Sequence, residues 1–108
     1  LGKMAYQVTW SLEALADVDS IAEYIARDSA VYASAVVEKI LEAARKLDLF
    51  PFAGRVVPEL NNQKIREKFV YSYRLIYCVE EQTVCVIAVV HGKRLLAPFK
   101  DRFDDVNY

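Results

Sequence analysis

Hydrophobic and polar positions change period several times along the chain. Tyr6, Val8 and Trp10 alternate with Gln7 and Thr9, the period of a half-buried strand over 5–10. Ser11 then offers a helix N-cap, with Glu13 in the first turn where a carboxylate meets the positive end of the helix dipole. From Leu12 onward Leu15, Val18, Ile21, Ala22 and Ile25 recur at spacings of three and four, which predicts an amphipathic helix ending near Arg27. Asp28-Ser29 breaks it. A second helix is expected from about Ala30 to Asp48, with Ala33, Val36, Val37, Ile40, Leu41, Ala44 and Leu47 on one stripe. So short a connection makes the two helices antiparallel neighbours.

Phe50-Pro51-Phe52-Ala53-Gly54 ends the second helix, because proline removes a backbone donor and glycine releases the turn. Arg55 to Gln63 reads as a loop, marked by Pro58 and Asn61-Asn62. A short strand follows over 64–70. Tyr73–Glu80 and Thr83–His91 are rich in Val, Ile and Tyr and are separated by Glu81-Gln82, so they read as an antiparallel hairpin. A two-residue loop sets Val79 opposite Val84, Cys78 opposite Cys85, Tyr77 opposite Val86 and Arg74 opposite Val89. On that register Arg74 and His91 share a sheet face as diagonal neighbours.

The expected fold is α+β, a small single domain of order β-α-α-β-β-β. A twisted, mainly antiparallel sheet carries the helical hairpin on one face and leaves the other partly open. Leu1-Gly2-Lys3 ahead of Met4 reads as an appended remnant before a natural start. Residues 5–108 then form the domain, with 95–108 as a C-terminal tail. The length of 108 residues, 55% hydrophobic and 27% charged, suits one self-sufficient core and excludes collagen-like or disordered classes.

The net charge of −1 argues against a generic nucleic-acid coat or an anionic-membrane binder. Read by segment it conceals a pattern. Residues 1–63 carry net −3, residues 64–100 net +4 and residues 101–108 net −2. The two cysteines, Cys78 and Cys85, lack zinc spacing and are too few for a disulfide scaffold, so no metal or other cofactor is expected. Facing each other they are close enough for a cross-strand disulfide in principle, and a reduced pair is expected because such a bridge strains the sheet and the compartment is reducing. No apolar run approaches the ~20 residues a membrane-spanning helix needs, and no basic-then-apolar leader precedes the first strand. The expected location is the cytoplasm, without membrane association.

Within the basic block, Arg74 is the most informative position. A charge inside so apolar a hairpin needs either a partner or a task, and a guanidinium suits phosphate recognition and transition-state stabilisation. His91, the one histidine, is able to act as acid or base, or to serve as a hydrogen-bonded strand end. Lys64, Arg66, Lys68, Lys93 and Arg94 complete the cationic set.

The helical hairpin, Leu49-Phe50-Pro51 with Gly54-Arg55, Ile65-Arg66-Glu67, Tyr73-Arg74-Leu75-Ile76-Tyr77, and Val89-Val90-His91-Gly92-Lys93-Arg94 together resemble the RelE/ParE superfamily, toxins of type II toxin–antitoxin modules. The resemblance implies a small toxin neutralised by a cognate antitoxin in a hetero-oligomer. It also implies one of two targets: DNA gyrase, poisoned by ParE-like members, or mRNA on the ribosome, cut without metal by RelE-like members through 2′-hydroxyl attack on the adjacent phosphate. On the RelE pattern Arg74 and Arg94 match arginines assigned to phosphate or transition-state stabilisation, and His91 stands where it could replace an acid or base. Arg66 aligns with a catalytic lysine only when one extra residue is allowed before Arg74. Without that gap Ile65 and Glu67 take the lysine positions. The RelE tail tyrosine has no counterpart where Phe99 and Lys100 stand, and Tyr108 lies too far on. These departures and the long hairpin favour the ParE-like branch.

Overall fold

The computed structural model describes residues 5–104. Leu1–Met4 and the tail residues Val106 and Tyr108 lie outside the described residues. The strands are β1 (Gln7–Trp10), β2 (Arg55–Val56), β3 (Ile65–Val70), β4 (Tyr73–Glu80) and β5 (Thr83–His91). The α-helices are α1 (Leu12–Ala26), α2 (Ala30–Arg45) and a short α3 (Lys100–Asp104) in the tail. The sheet order is β1-β5-β4-β3-β2, antiparallel throughout except that β1 runs parallel to β5. The expected loop over 55–63 thus contributes a two-residue edge strand. The last three residues of the expected second helix, Lys46–Asp48, tighten into a 3-10 turn.

Both long helices start where a serine side chain accepts an otherwise unpaired backbone N–H. Ser11 Oγ accepts from Ala14 and Ser29 Oγ from Tyr32, at 3.1 and 3.0 Å. Ser11 also ties the helix to the sheet, since its own N–H donates to the Val86 carbonyl at 3.0 Å. The apolar stripe of α1 and α2, centred on Ala14, Val18, Val36, Ile40 and Ala44, packs with Leu47 on Leu75, Tyr77, Val84, Val86 and Val89 of the sheet.

The opposite sheet face is covered, not partly open. Val57 and Leu60 of the 57–62 turn and Leu96, Phe99 and Phe103 of the tail close over Ile65, Ile76, Ile87 and Val90 in a second core. The tail is held there by Arg102, whose guanidinium donates to both carboxylate oxygens of Asp17 on α1 at 2.7 and 3.1 Å. Asp17 also accepts the Val89 N–H at 2.9 Å, so one carboxylate joins α1, β5 and α3.

The hairpin register holds from Val79↔Val84 through Tyr77↔Val86 and then shifts, because Ile76 pairs with Ala88 and Ile87 has no partner on β4. Beyond this bulge Arg74 faces Val90 and Tyr73 faces His91. The expected Arg74–Val89 pairing is therefore replaced, and His91 falls on the helix-bearing face while Arg74 points to the other. Ile87 and Ala88 both enter the second core, which is what the extra residue accomplishes.

Cys78 and Cys85 sit directly opposite one another as free thiols. Burial pushes the Cys78 thiol up to about 11, with the Glu80 charge adding to the shift. Alkylation of the folded chain at pH 8 should therefore modify half-buried Cys85 well before Cys78, as read by mass spectrometry of the labelled peptides. Equal rates would mean that the β4–β5 pair opens.

Candidate functional site

Arg74 is 4% exposed, and it has a partner on each side. Strand pairing sets it opposite Phe69, so Glu67, two residues back along β3, is its diagonal neighbour on the same face. Its Nε donates to Glu67 Oε1 at 2.6 Å. Its two Nη atoms donate to the two carboxylate oxygens of Glu59, each at 2.8 Å. Glu67 is fully buried and its second oxygen accepts from Arg55 Nε at 2.6 Å, Arg55 being its direct partner across β2–β3. The result is an alternating chain Arg55–Glu67–Arg74–Glu59 with no net charge. The hydrogen bonds from Arg74 hold the Glu59 carboxyl below its usual range, and Glu59 in turn raises the guanidinium pKa.

That linkage has a sign. Glu59 titrates lower in the folded state, so the stability it adds is present above the ordinary glutamate pKa and lost as pH falls through the lowered value. Urea midpoints of the wild-type chain should accordingly fall more steeply between about pH 5 and 3 than those of Glu59→Gln. Parallel curves would contradict the pairing.

The other candidates lie elsewhere. Arg66 is opposite Tyr77, hence on the helix-bearing side, where its Nη1 donates to the Gly54 carbonyl at 3.2 Å and its guanidinium stacks 4.9 Å from the Phe52 ring. His91 ends β5 in an exposed position. Its Nδ1 accepts from the Lys93 N–H at 3.2 Å, and its ring meets Tyr73 edge-on at 5.7 Å. Arg94 lies 5.2 Å from the centre of the Phe99 ring, against which Arg102 also packs at 5.0 Å. His91 and Arg94 share a cavity of about 530 Å³ with Asp17, Ser20, Tyr24 and Tyr73, between α1 and the end of β5. Burial, followed by the neighbouring tyrosines Tyr32 and Tyr24, raises the Tyr73 phenol, which stays protonated at neutral pH. The structure thus joins His91 with Arg94, and places Arg74 and Arg66 apart from them.

Glu59, Asp17 and Arg102 were not singled out by sequence, and Arg55 and Glu67 entered only as parts of the motifs that carry the resemblance, not as partners of Arg74. Glu67 carried a usable signal: at strand period it shares a side with the apolar Ile65 and Phe69, and a carboxylate in such a row needs a cationic partner. Among the described residues no group of three or more His, Cys, Asp or Glu is placed to hold a metal ion, and no helix is long and apolar enough to cross a membrane. A second concave surface, about 850 Å³, lies beyond α2, where Leu49, Phe50 and Phe52 are all more than half exposed.

Residues 8–96 match the family model described as the ParE toxin of the type II toxin–antitoxin system parDE. A curated relative, Toxin RelE2 of Caulobacter vibrioides, is 32% identical over 90 residues, covering 82% of this chain and 98% of the relative. Among solved structures, the chromosomal ParDE system of P. aeruginosa superposes with a TM-score of 0.69 at 17% identity, covering 82% of this chain and 98% of that one. The RelBE2 toxin–antitoxin complex of Mycobacterium tuberculosis gives 0.60 at 20% identity, covering 81% and 98%. The solved structures share the fold, and the relatives carry names from both branches. A family match that runs from β1 to the start of the tail makes this chain a member of the RelE/ParE superfamily of type II toxins, with the ParE side the stronger.

Proposed function

We propose that the chain is the growth-inhibiting member of its module, silenced in the cytoplasm by a cognate antitoxin and acting by poisoning DNA gyrase. One observation carries the choice of target. On the resemblance Arg74 matches an arginine assigned to phosphate or transition-state stabilisation in RelE-like enzymes, and here all three of its nitrogens donate to carboxylates within the fold. A guanidinium so neutralised supplies little stabilisation to charge developing on RNA, whereas a protein that acts by binding has no need of it. The exposed apolar side chains of the hairpin, Leu12, Tyr24, Val31 and Tyr32, and the Leu49–Phe52 surface supply docking area for antitoxin and target.

Ribosome-dependent mRNA cleavage is the second reading, favoured by the cavity that holds His91 and Arg94 together. The two readings separate in parallel assays on the purified protein. Gyrase poisoning predicts inhibited supercoiling and trapped gyrase–DNA complexes with intact mRNA. Intact supercoiling at a molar excess of folded protein would sink it. Cuts at ribosome-bound codons, lost in His91→Ala and Arg94→Ala, would establish the second. Antitoxin dependence is checked by co-expression with a cognate antitoxin, sought as a short reading frame beside this gene, which should restore growth and yield a stable complex.

A further inference from the structure

The Arg55–Glu67–Arg74–Glu59 chain is not symmetrical. Glu67 is sealed inside and bridges both arginines, so two cations share one fixed anion and the fork formed by the Arg74 Nη atoms faces outward still needing one. Glu59 fills it from outside. That residue is 45% exposed and sits beside Pro58 at the crest of a turn whose flanks, Val57 and Leu60, are anchored in the second core. Rotation of the Glu59 side chain alone would vacate the fork, with the turn and the core left in place. Arg55, 61% exposed, and the ring of Phe69, 53% exposed and 5.6 Å from the Arg55 guanidinium, border the fork.

We propose that the Arg74 fork, bordered by Arg55 and Phe69, is a receptor for a Glu or Asp side chain of an acidic protein segment, and that Glu59 is the internal carboxylate such a segment displaces. The exchange swaps one planar two-oxygen acceptor for another and keeps the cluster neutral, as a bidentate guanidinium pairing requires. A nucleic-acid strand fits less well. It needs a track of cations for successive phosphates, whereas strand alternation sends Arg66 and Lys68 to the opposite face. The inference goes beyond the gyrase reading and shares its observation, the occupied Arg74 fork: a protein carboxylate in the fork leaves that reading standing, whereas a phosphodiester there would remove its support.

The test uses fluorescein-labelled hexaglutamate and labelled hexauridylate as probes, read by fluorescence anisotropy at low salt. If Glu59 occupies the fork about nine-tenths of the time, Glu59→Gln should bind hexaglutamate about tenfold more tightly than wild type, because the competent state is no longer rationed. Adding Arg55→Ala to that variant should cancel most of the gain, and hexauridylate should gain less than the peptide. A folded Glu59→Gln with no gain for either probe overturns the proposal. A larger gain for hexauridylate overturns the protein-segment assignment in favour of a phosphodiester. Should Glu59→Gln fail to fold, the wild-type chain titrated with hexaglutamate must show movement of the Arg74 Nε–H and Glu59 NMR signals, and unmoved signals are equally decisive against it.

Discussion

Glu67→Ala should lower the unfolding free energy by about 3–5 kcal/mol, because it strands two arginines that lose their shared acceptor, one of them buried. Set against a typical total of about 5–15 kcal/mol, that is enough to leave much of the protein unfolded at growth temperature. The measurement is urea denaturation followed by circular dichroism. Glu67→Gln keeps the shape and one acceptor oxygen and should cost less. The double replacement Glu67→Leu with Arg74→Met should be more stable than either single change, since removing both buried charges also removes their desolvation penalty. An alanine variant within about 1 kcal/mol of wild type would show that water reaches the cluster.

Gly54→Ala should be comparably damaging for a different reason. A Cβ at this position would collide with the Glu67 carbonyl oxygen and lie 2.7 Å from the Tyr77 hydroxyl. The tyrosine hydroxyl is the end of a side chain, but the carbonyl belongs to the β3 backbone and cannot give without shifting the strand that holds Glu67. The expected loss is about 3 kcal/mol or more, the upper end for overpacking. Gly54 also donates its N–H to the Tyr77 hydroxyl at 2.9 Å. Tyr77→Phe, which removes only that acceptor, should cost about 1–3 kcal/mol and serves as the comparison. A Gly54→Ala cost below that of Tyr77→Phe would mean that β3 gives way to the added methyl group.

Much of this was legible in the chain, and the parts that were not have specific causes. The helix starts at Ser11 and Ser29 and the strands from Tyr73 onward follow from capping and period, which are local. The bulge at Ile87 was not legible, because Val84 to Val90 is apolar at every position and a one-residue slip moves no polar side chain into the core. That single slip separated Arg74 from His91. Arg74 itself was recognisable as a charge in need of a partner. Its partners were not, since Glu59 comes from a segment with no periodicity and Glu67 from within a basic run. The cover over the second face was missed because its apolar residues, Leu96, Phe99 and Phe103, belong to a tail too short to show a helical stripe.

The parallel pairing of β1 with β5 bears on when the protein can exist as a folded object at all. Gln7 pairs in register with Thr83 and donates its N–H to the Gln82 carbonyl at 2.8 Å, and among the described residues β1 has no other neighbour in the sheet. During synthesis at about 5–20 residues per second, that strand must wait for several seconds while the helices, β3 and β4 leave the ribosome. Long-range closure of this kind is also slow in itself. The sheet is completed by joining its two ends in time, so a chain released early lacks β5 and leaves β1 unpaired. Any harm that depends on the finished surface begins only after β5 has left the ribosome.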